Sequence, residues 1–163
     1  MKSIAFVIPW GGGNLPVYFQ LWLESCRRNP SVEFLIFTDD CTEYNYPDNV
    51  KVHYMSFEQM KELFQKHYDF PLSIRAPYKF CDFRPAFGEI FSDYLVGYDY
   101  WGHCDVDLMW GDIRKYYTDE ILDNYDKIGF LAHSTLYRNT PEVNARYKTI
   151  VNGLTNYMQV YSS

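Results

Sequence analysis

The sequence predicts an α/β domain built on a mostly parallel central sheet flanked by helices. Three observations predict it. A continuous apolar run, Ile4-Ala5-Phe6-Val7-Ile8, stops at Pro9 and three glycines, the pattern of a strand buried on both faces. Strand-length and helix-length patterns then alternate along the chain. Further on, an aromatic strand runs into two carboxylates, Asp105 and Asp107, at the strand end where α/β sheets gather ligands.

Each element follows from local pattern. After the first strand, Asn14 can cap a helix and Pro16 suits its first turn. Phe19, Trp22, Leu23 and Cys26 recur at helical spacing until Asn29-Pro30 ends the run. Residues 32–38 form a second strand carrying Phe34-Leu35-Ile36-Phe37, followed by Asp39-Asp40. A third strand is expected over 50–55 and a helix over 57–67. In residues 77–94, Phe80, Phe83, Phe87 and Phe91 lie on one helical face, a stripe that reads as core. Pro85 marks a first turn or a kink there. A strand from Tyr98 leads to the paired acids, and Asp112 caps a helix over 113–117. Residues 127–131 read as one more strand, and the tail over 142–157 reads as helical with no clear closing element after it.

Composition bounds the function. A chain of 163 residues with 47% hydrophobic and 22% charged residues fits one globular domain with a real core. The net charge of -6 and the lack of a basic stripe argue against nucleic acid as a partner. Aromatic residues make up 20%, with 16 Tyr and 12 Phe; such a surplus can line a pocket for sugars or bases, or serve core and interface. The four cysteines, Cys26, Cys41, Cys81 and Cys104, show no C-x-x-C spacing, so neither a zinc site nor a disulfide framework is expected. The start does not resemble a secretory signal and no segment is long enough to span a membrane. A reduced, cytoplasmic protein is expected.

The chemistry concentrates at Asp105-Val106-Asp107. Carboxylate oxygens suit magnesium or manganese, ions that keep positions for water and substrate phosphates. An isolated D-x-D is more often a solvated turn; its place after a central strand favours the metal reading. On a strand the two acids would face one side. Gly11-Gly12-Gly13 lacks both nucleotide fingerprints, yet it lets a ligand approach the backbone closely. Lys79, Asp82 and Arg84 stand at the start of the expected helix, where a phosphate is favoured and a charged cap is an equal alternative. His103 reads as an interior residue rather than a base. His133 and Arg138 can face an acceptor or a leaving phosphate.

The Gly-rich loop after the first strand, the Tyr78-Lys79-Phe80-Cys81-Asp82-Phe83-Arg84-Pro85 segment and Trp101-Gly102-His103-Cys104-Asp105-Val106-Asp107 together resemble a bacterial GT-A-type glycosyltransferase of the polysaccharide-biosynthesis or capsular glycosyltransferase-like group. The resemblance spans most of the chain. It implies a single nucleotide-sugar-binding GT-A-like (Rossmann-like) domain over 1–163, a metal-dependent glycosyltransferase using a UDP-sugar donor and a glycan acceptor. It implies a divalent cation, manganese or magnesium, on Asp105 and Asp107. The donor would meet Pro9, Trp10, Gly11 and Asn14, with Asp39 near the base, Lys79, Asp82 and Arg84 flanking, and Asp105 at the ribose. The acceptor half is abbreviated relative to that group, as in a chain truncated at its C-terminus, and no residue is identified as the catalytic base.

Two other classes compete. A non-catalytic nucleotide-sugar or carbohydrate-binding remnant would bind without turnover. A nucleotidyl or phosphotransfer enzyme would also use the D-x-D, but the chain has no lysine-bearing glycine loop to support it. A lipid-linked acceptor would bring the protein to a membrane surface, although no basic amphipathic helix demands it.

Overall fold

A six-stranded mixed sheet forms the centre of the computed structural model, which describes residues 1–130 and 133–163. The strands are β1 (Ile4–Trp10), β2 (Val32–Thr38), β3 (Val50–Tyr54), β4 (Tyr100–Cys104), β5 (Lys127–Ile128) and β6 (Ser134–Arg138), in the spatial order β3-β2-β1-β4-β6-β5. The β3-β2-β1-β4 core is parallel, and β6 and β5 add antiparallel pairings at one edge. The sheet is therefore parallel where the sequence predicts it.

β1 is apolar throughout because both its faces are covered. Ile4, Phe6 and Ile8 face one cluster, which includes Phe19, Trp22, Leu23 and Cys26 of helix α1 (Phe19–Arg27). Ala5 and Val7 face the other, built on Met60 and Phe64 of α2 (Phe57–Gln65) and the phenylalanines of 77–94. α2 starts on a reciprocal capping box: Ser56 Oγ accepts from Gln59 N–H, and the Gln59 side chain accepts from Ser56 N–H.

Several elements depart from expectation. α1 begins at Phe19, its N-terminal flank Tyr18 makes no side-chain cap, and Asn14 lies outside the helix. Residues 77–94 are not one α-helix but a 3-10 helix over Pro77–Ala86, a single α-turn α3 (Phe87–Ile90) and a second 3-10 turn over Ser92–Tyr94. Pro85 inside the first of these has no N–H to give to an α-helical ladder. The phenylalanine stripe is core all the same: Phe80, Phe83, Phe87 and Phe91 are each at most 3% exposed.

The third quarter of the chain is reorganised further. Asp112 caps a 3-10 turn over Ile113–Lys115 by accepting from Lys115 N–H, and α4 (Asp119–Asn124) follows. The strand expected over 127–131 is described only at Lys127–Ile128; its expected end at Leu131, with Ala132, lies outside the described residues. The segment after it contains β6, antiparallel to β4, which the sequence pattern did not suggest.

The tail does have a closing element. α5 (Pro141–Asn144) and a 3-10 turn over Arg146–Lys148 are followed by α6 (Tyr157–Ser162), not by one helix over 142–157. Tyr161 of α6 stacks on Phe83 with ring centroids 4.0 Å apart. Its carbonyl accepts from Ser73 N–H at 2.8 Å, and Val160 O accepts from Lys79 Nζ at 2.7 Å. Among the described residues no helix is long and apolar enough to cross a membrane.

Candidate functional site

The chain leaves β1 to build β2 and β3 on one side, then returns to lay β4 on the other. The carboxyl ends of β1 and β4 diverge at that reversal, the place where open α/β sheets form a ligand crevice. A cleft of about 810 Å³ opens there. Its walls come from Val7–Asn14, from Pro77, Tyr78, Phe80, Cys81 and Arg84, and from His103–Asp107 with His133.

The glycine loop forms one wall, and two acids at the end of β2 hold it. Gly12 N–H donates to both Asp39 oxygens at 3.1 and 3.0 Å, and Leu15 N–H donates to Asp40 Oδ2 at 2.7 Å. Burial would raise the Asp40 pKa, but hydrogen bonds from Thr42, Leu15 and Tyr44 outweigh it and hold the carboxyl below its ordinary value. Trp10 Nε1–H closes the turn on Asn14 O at 3.2 Å. Asp39 thus braces the loop through Gly12 and is not among the cleft-lining residues. Gly12 has φ +76°, and a Cβ there would lie 2.7 Å from Pro77 Cγ, so both backbone and space demand glycine. Gly12→Ala is expected to cost about 1–2 kcal/mol, seen as a lowered denaturant midpoint. Gly13→Ala, whose Cβ would meet nothing within 4 Å, is the control for space.

Asp105 is the centre of the opposite wall. Its Oδ1 accepts from Arg84, its Oδ2 lies 3.0 Å from His133 Nδ1, and its N–H donates to His133 O at 2.9 Å. The Arg84 and Asp105 side chains are 19% and 22% exposed, buried enough for the charge pair to matter and open enough to meet a ligand. The strand stops at Cys104, so β-alternation is not what brings the acids together. Asp105 leaves the strand and Asp107 sits in the turn beyond it, exposed; both line the cleft all the same.

Of the other residues the sequence suggested, Pro9, Trp10, Gly11, Asn14 and Arg84 line the cleft. Lys79 and Asp82 do not: they pair with each other at 2.9 Å, and Lys79 also serves α6. Arg138 sits at the far end of β6, bonded to Asp126 and lying over the Tyr100 ring, so it is structural and does not face the cleft. His133 is beside Asp105, as its place before β6 requires. Tyr18, Tyr78, Cys81 and His103 also line the cleft without having been marked as binding residues; their convergence depends on the tertiary fold and has no local signal.

His103 is 5% exposed, and its Nδ1 has no partner among the described residues. Burial and the Arg84 charge, opposed by Asp105, push its pKa down to about 3, so the ring is neutral at pH 7. Burial also pushes the Cys81 and Cys104 thiols up, which makes thiolate chemistry at the cleft unfavourable.

Among the described residues no group of three or more His, Cys, Asp or Glu is gathered to hold a cation. Magnesium and manganese, however, are often bound by one or two carboxylates together with substrate phosphates. Asp105 and Asp107 both line the cleft, so an ion there could be held only together with a phosphate ligand, not as a caged structural ion.

A family model described as a family of unknown function (DUF6625) matches residues 6–163. A comparison with curated proteins finds no match.

Proposed function

The chain belongs to this family of unknown function, and from its cleft we propose that it is a GT-A-like, metal-dependent glycosyltransferase that takes a sugar from a nucleotide-sugar donor, a UDP-sugar first among candidates, to a glycan acceptor in polysaccharide biosynthesis. One observation carries the reading. At the reversal of strand order, a glycine loop faces a half-buried Arg84–Asp105 pair across one cleft, with Asp107 and His133 at its edge.

The residues divide the work. The glycine loop brings backbone close to the donor, with no Cβ in the way. Asp105 and Asp107 would hold manganese or magnesium, which when bound supplies Lewis-acid neutralisation of the diphosphate. Arg84 offers the leaving diphosphate a fixed positive charge on a low-dielectric wall. Trp10, Tyr18 and Tyr78 supply flat faces for base or sugar. A cytoplasmic setting and a glycan acceptor, at a membrane surface if it is lipid-linked, belong to the same proposal.

A non-catalytic donor-binding remnant is the second reading, favoured by one fact. Both Asp105 oxygens are already engaged, by Arg84 and His133. Turnover separates the two. The chain with manganese is expected to release free UDP from at least one of a panel of UDP-sugars, faster when glycan acceptors are added. Tight UDP binding with no donor consumed would establish the remnant instead.

A further inference from the structure

The cleft wall that bears Arg84 is ten residues of 3-10 helix, Pro77–Ala86, well beyond the roughly three or four residues such helices usually reach. With three residues per turn, side chains three apart share a face, and the segment sorts into three rows. Phe80, Phe83 and Ala86 are buried in the core. Tyr78, Cys81 and Arg84 line the cleft. Lys79 and Asp82 form the third row, paired with each other at 2.9 Å.

The third row meets α6. Lys79 Nζ donates to Val160 O at 2.7 Å, and Ser73 N–H, just ahead of the 3-10 helix, donates to Tyr161 O at 2.8 Å. Both carbonyls lie in the last turn of α6, where the helix supplies no partner of its own, and a lysine there suits the helix dipole. Tyr161 is 2% exposed and stacks on Phe83, so α6 grips the core row as well. We infer that α6 braces this cleft wall and that Lys79 is a positioning residue for Arg84. A long 3-10 helix has weak hydrogen bonds, and holding one of its rows keeps the neighbouring row aimed into the cleft. Lys79 itself lines no part of the cleft and acts only through the helix. The inference rests on the donor-site proposal for what Arg84 binds, not for the brace. Its rival is a helix fixed by the core row alone, with the Lys79 contact adding only stability.

Two measurements on the full chain test it. In amide hydrogen exchange of the wild type, residues 79–86 and 160–162 are expected to open together as one unit. Amides of α6 that exchange freely while 79–86 stay protected overturn the inference. By ¹⁵N NMR, the Arg84 Nε–H signal, assigned by its loss in Arg84→Gln, is followed in Lys79→Met and Lys79→Arg. Lys79→Met is expected to move that signal and to weaken UDP binding between about twofold and thirtyfold. Lys79→Arg, which keeps a cationic donor for Val160 O, is expected to restore both. An Arg84 signal unmoved in Lys79→Met overturns the inference even if the melting temperature falls, because the contact then serves stability alone. If Lys79→Met does not fold, the exchange of the wild type decides. An Arg84 signal that moves in Lys79→Met, in a chain whose wild type binds no UDP, upholds the brace and removes the donor-site proposal, so the two failures are distinct.

Discussion

Asp105→Ala is expected to weaken manganese-dependent UDP binding at least about thirtyfold, the range for removing one member of a desolvated charge pair at an interface. The carboxylate does two jobs that the variant separates. In the proposal it is a cation ligand, and it neutralises Arg84. Without it the cation loses its main anchor, but Arg84 keeps its charge and turns to the diphosphate. Metal-free UDP binding should therefore persist or strengthen while the manganese effect vanishes. Arg84→Gln should lower binding under both conditions. Titration calorimetry of the two variants, with and without manganese, checks the pattern. Equal losses with and without the metal in Asp105→Ala would show that Asp105 only shapes the wall.

Gly102→Ala should be the most damaging small change to the fold. Gly102 sits in β4 between β1 and β6, opposite Phe6 and Leu136. A Cβ would stand 2.5 Å from Thr135 O, 2.8 Å from Leu136 Cδ2 and 2.9 Å from Phe6 Cε1. The first of these is backbone and cannot rotate away, so β4 and β6 must part. Overpacking of this kind costs about 3 kcal/mol, or roughly 6–12 °C in Tm for a chain of this size. Calorimetric or circular-dichroism melting measures it, with Gly111→Ala as the control, since nothing lies within 4 Å of that position's added carbon. A Gly102→Ala melt within 2 °C or so of wild type would mean the sheet gives way more easily than its packing indicates.

The parallel core was legible because its signals are local. Ile4 to Ile8 is apolar at every position, and burial on both faces of β1 leaves no other pattern. The phenylalanine stripe was legible as core but not as a 3-10 helix, since Phe80 and Phe83 are spaced three apart and suit either helix. β6 was not legible: Ser134-Thr135-Leu136-Tyr137-Arg138 mixes polar and apolar residues, and its partner β4 lies about thirty residues earlier. Missing β6 also hid why Arg138 is structural, bonded to Asp126 rather than aimed at the cleft.

The site was half legible for the same reason. The glycine loop and the two acids stand out in the sequence and do line one cleft. Lys79 looked like a phosphate ligand because it shares a segment with Arg84. Five residues of 3-10 helix turn the two side chains to different neighbours, and α6 captures Lys79. No pattern in residues 142–157 announces that capture; it depends on Tyr161 finding Phe83 across the fold. His103 was set aside as interior, and it is interior; what one strand's sequence cannot show is that this interior opens on the cleft.

The most direct measurement of the donor-site claim is calorimetric titration of UDP into the wild-type chain, first with manganese and then with a chelator. Saturable binding to one site per chain, tighter with manganese, is the predicted result. A folded chain that gives no binding heat under either condition would contradict the claim, and the Asp105–Asp107 turn would then serve the fold alone.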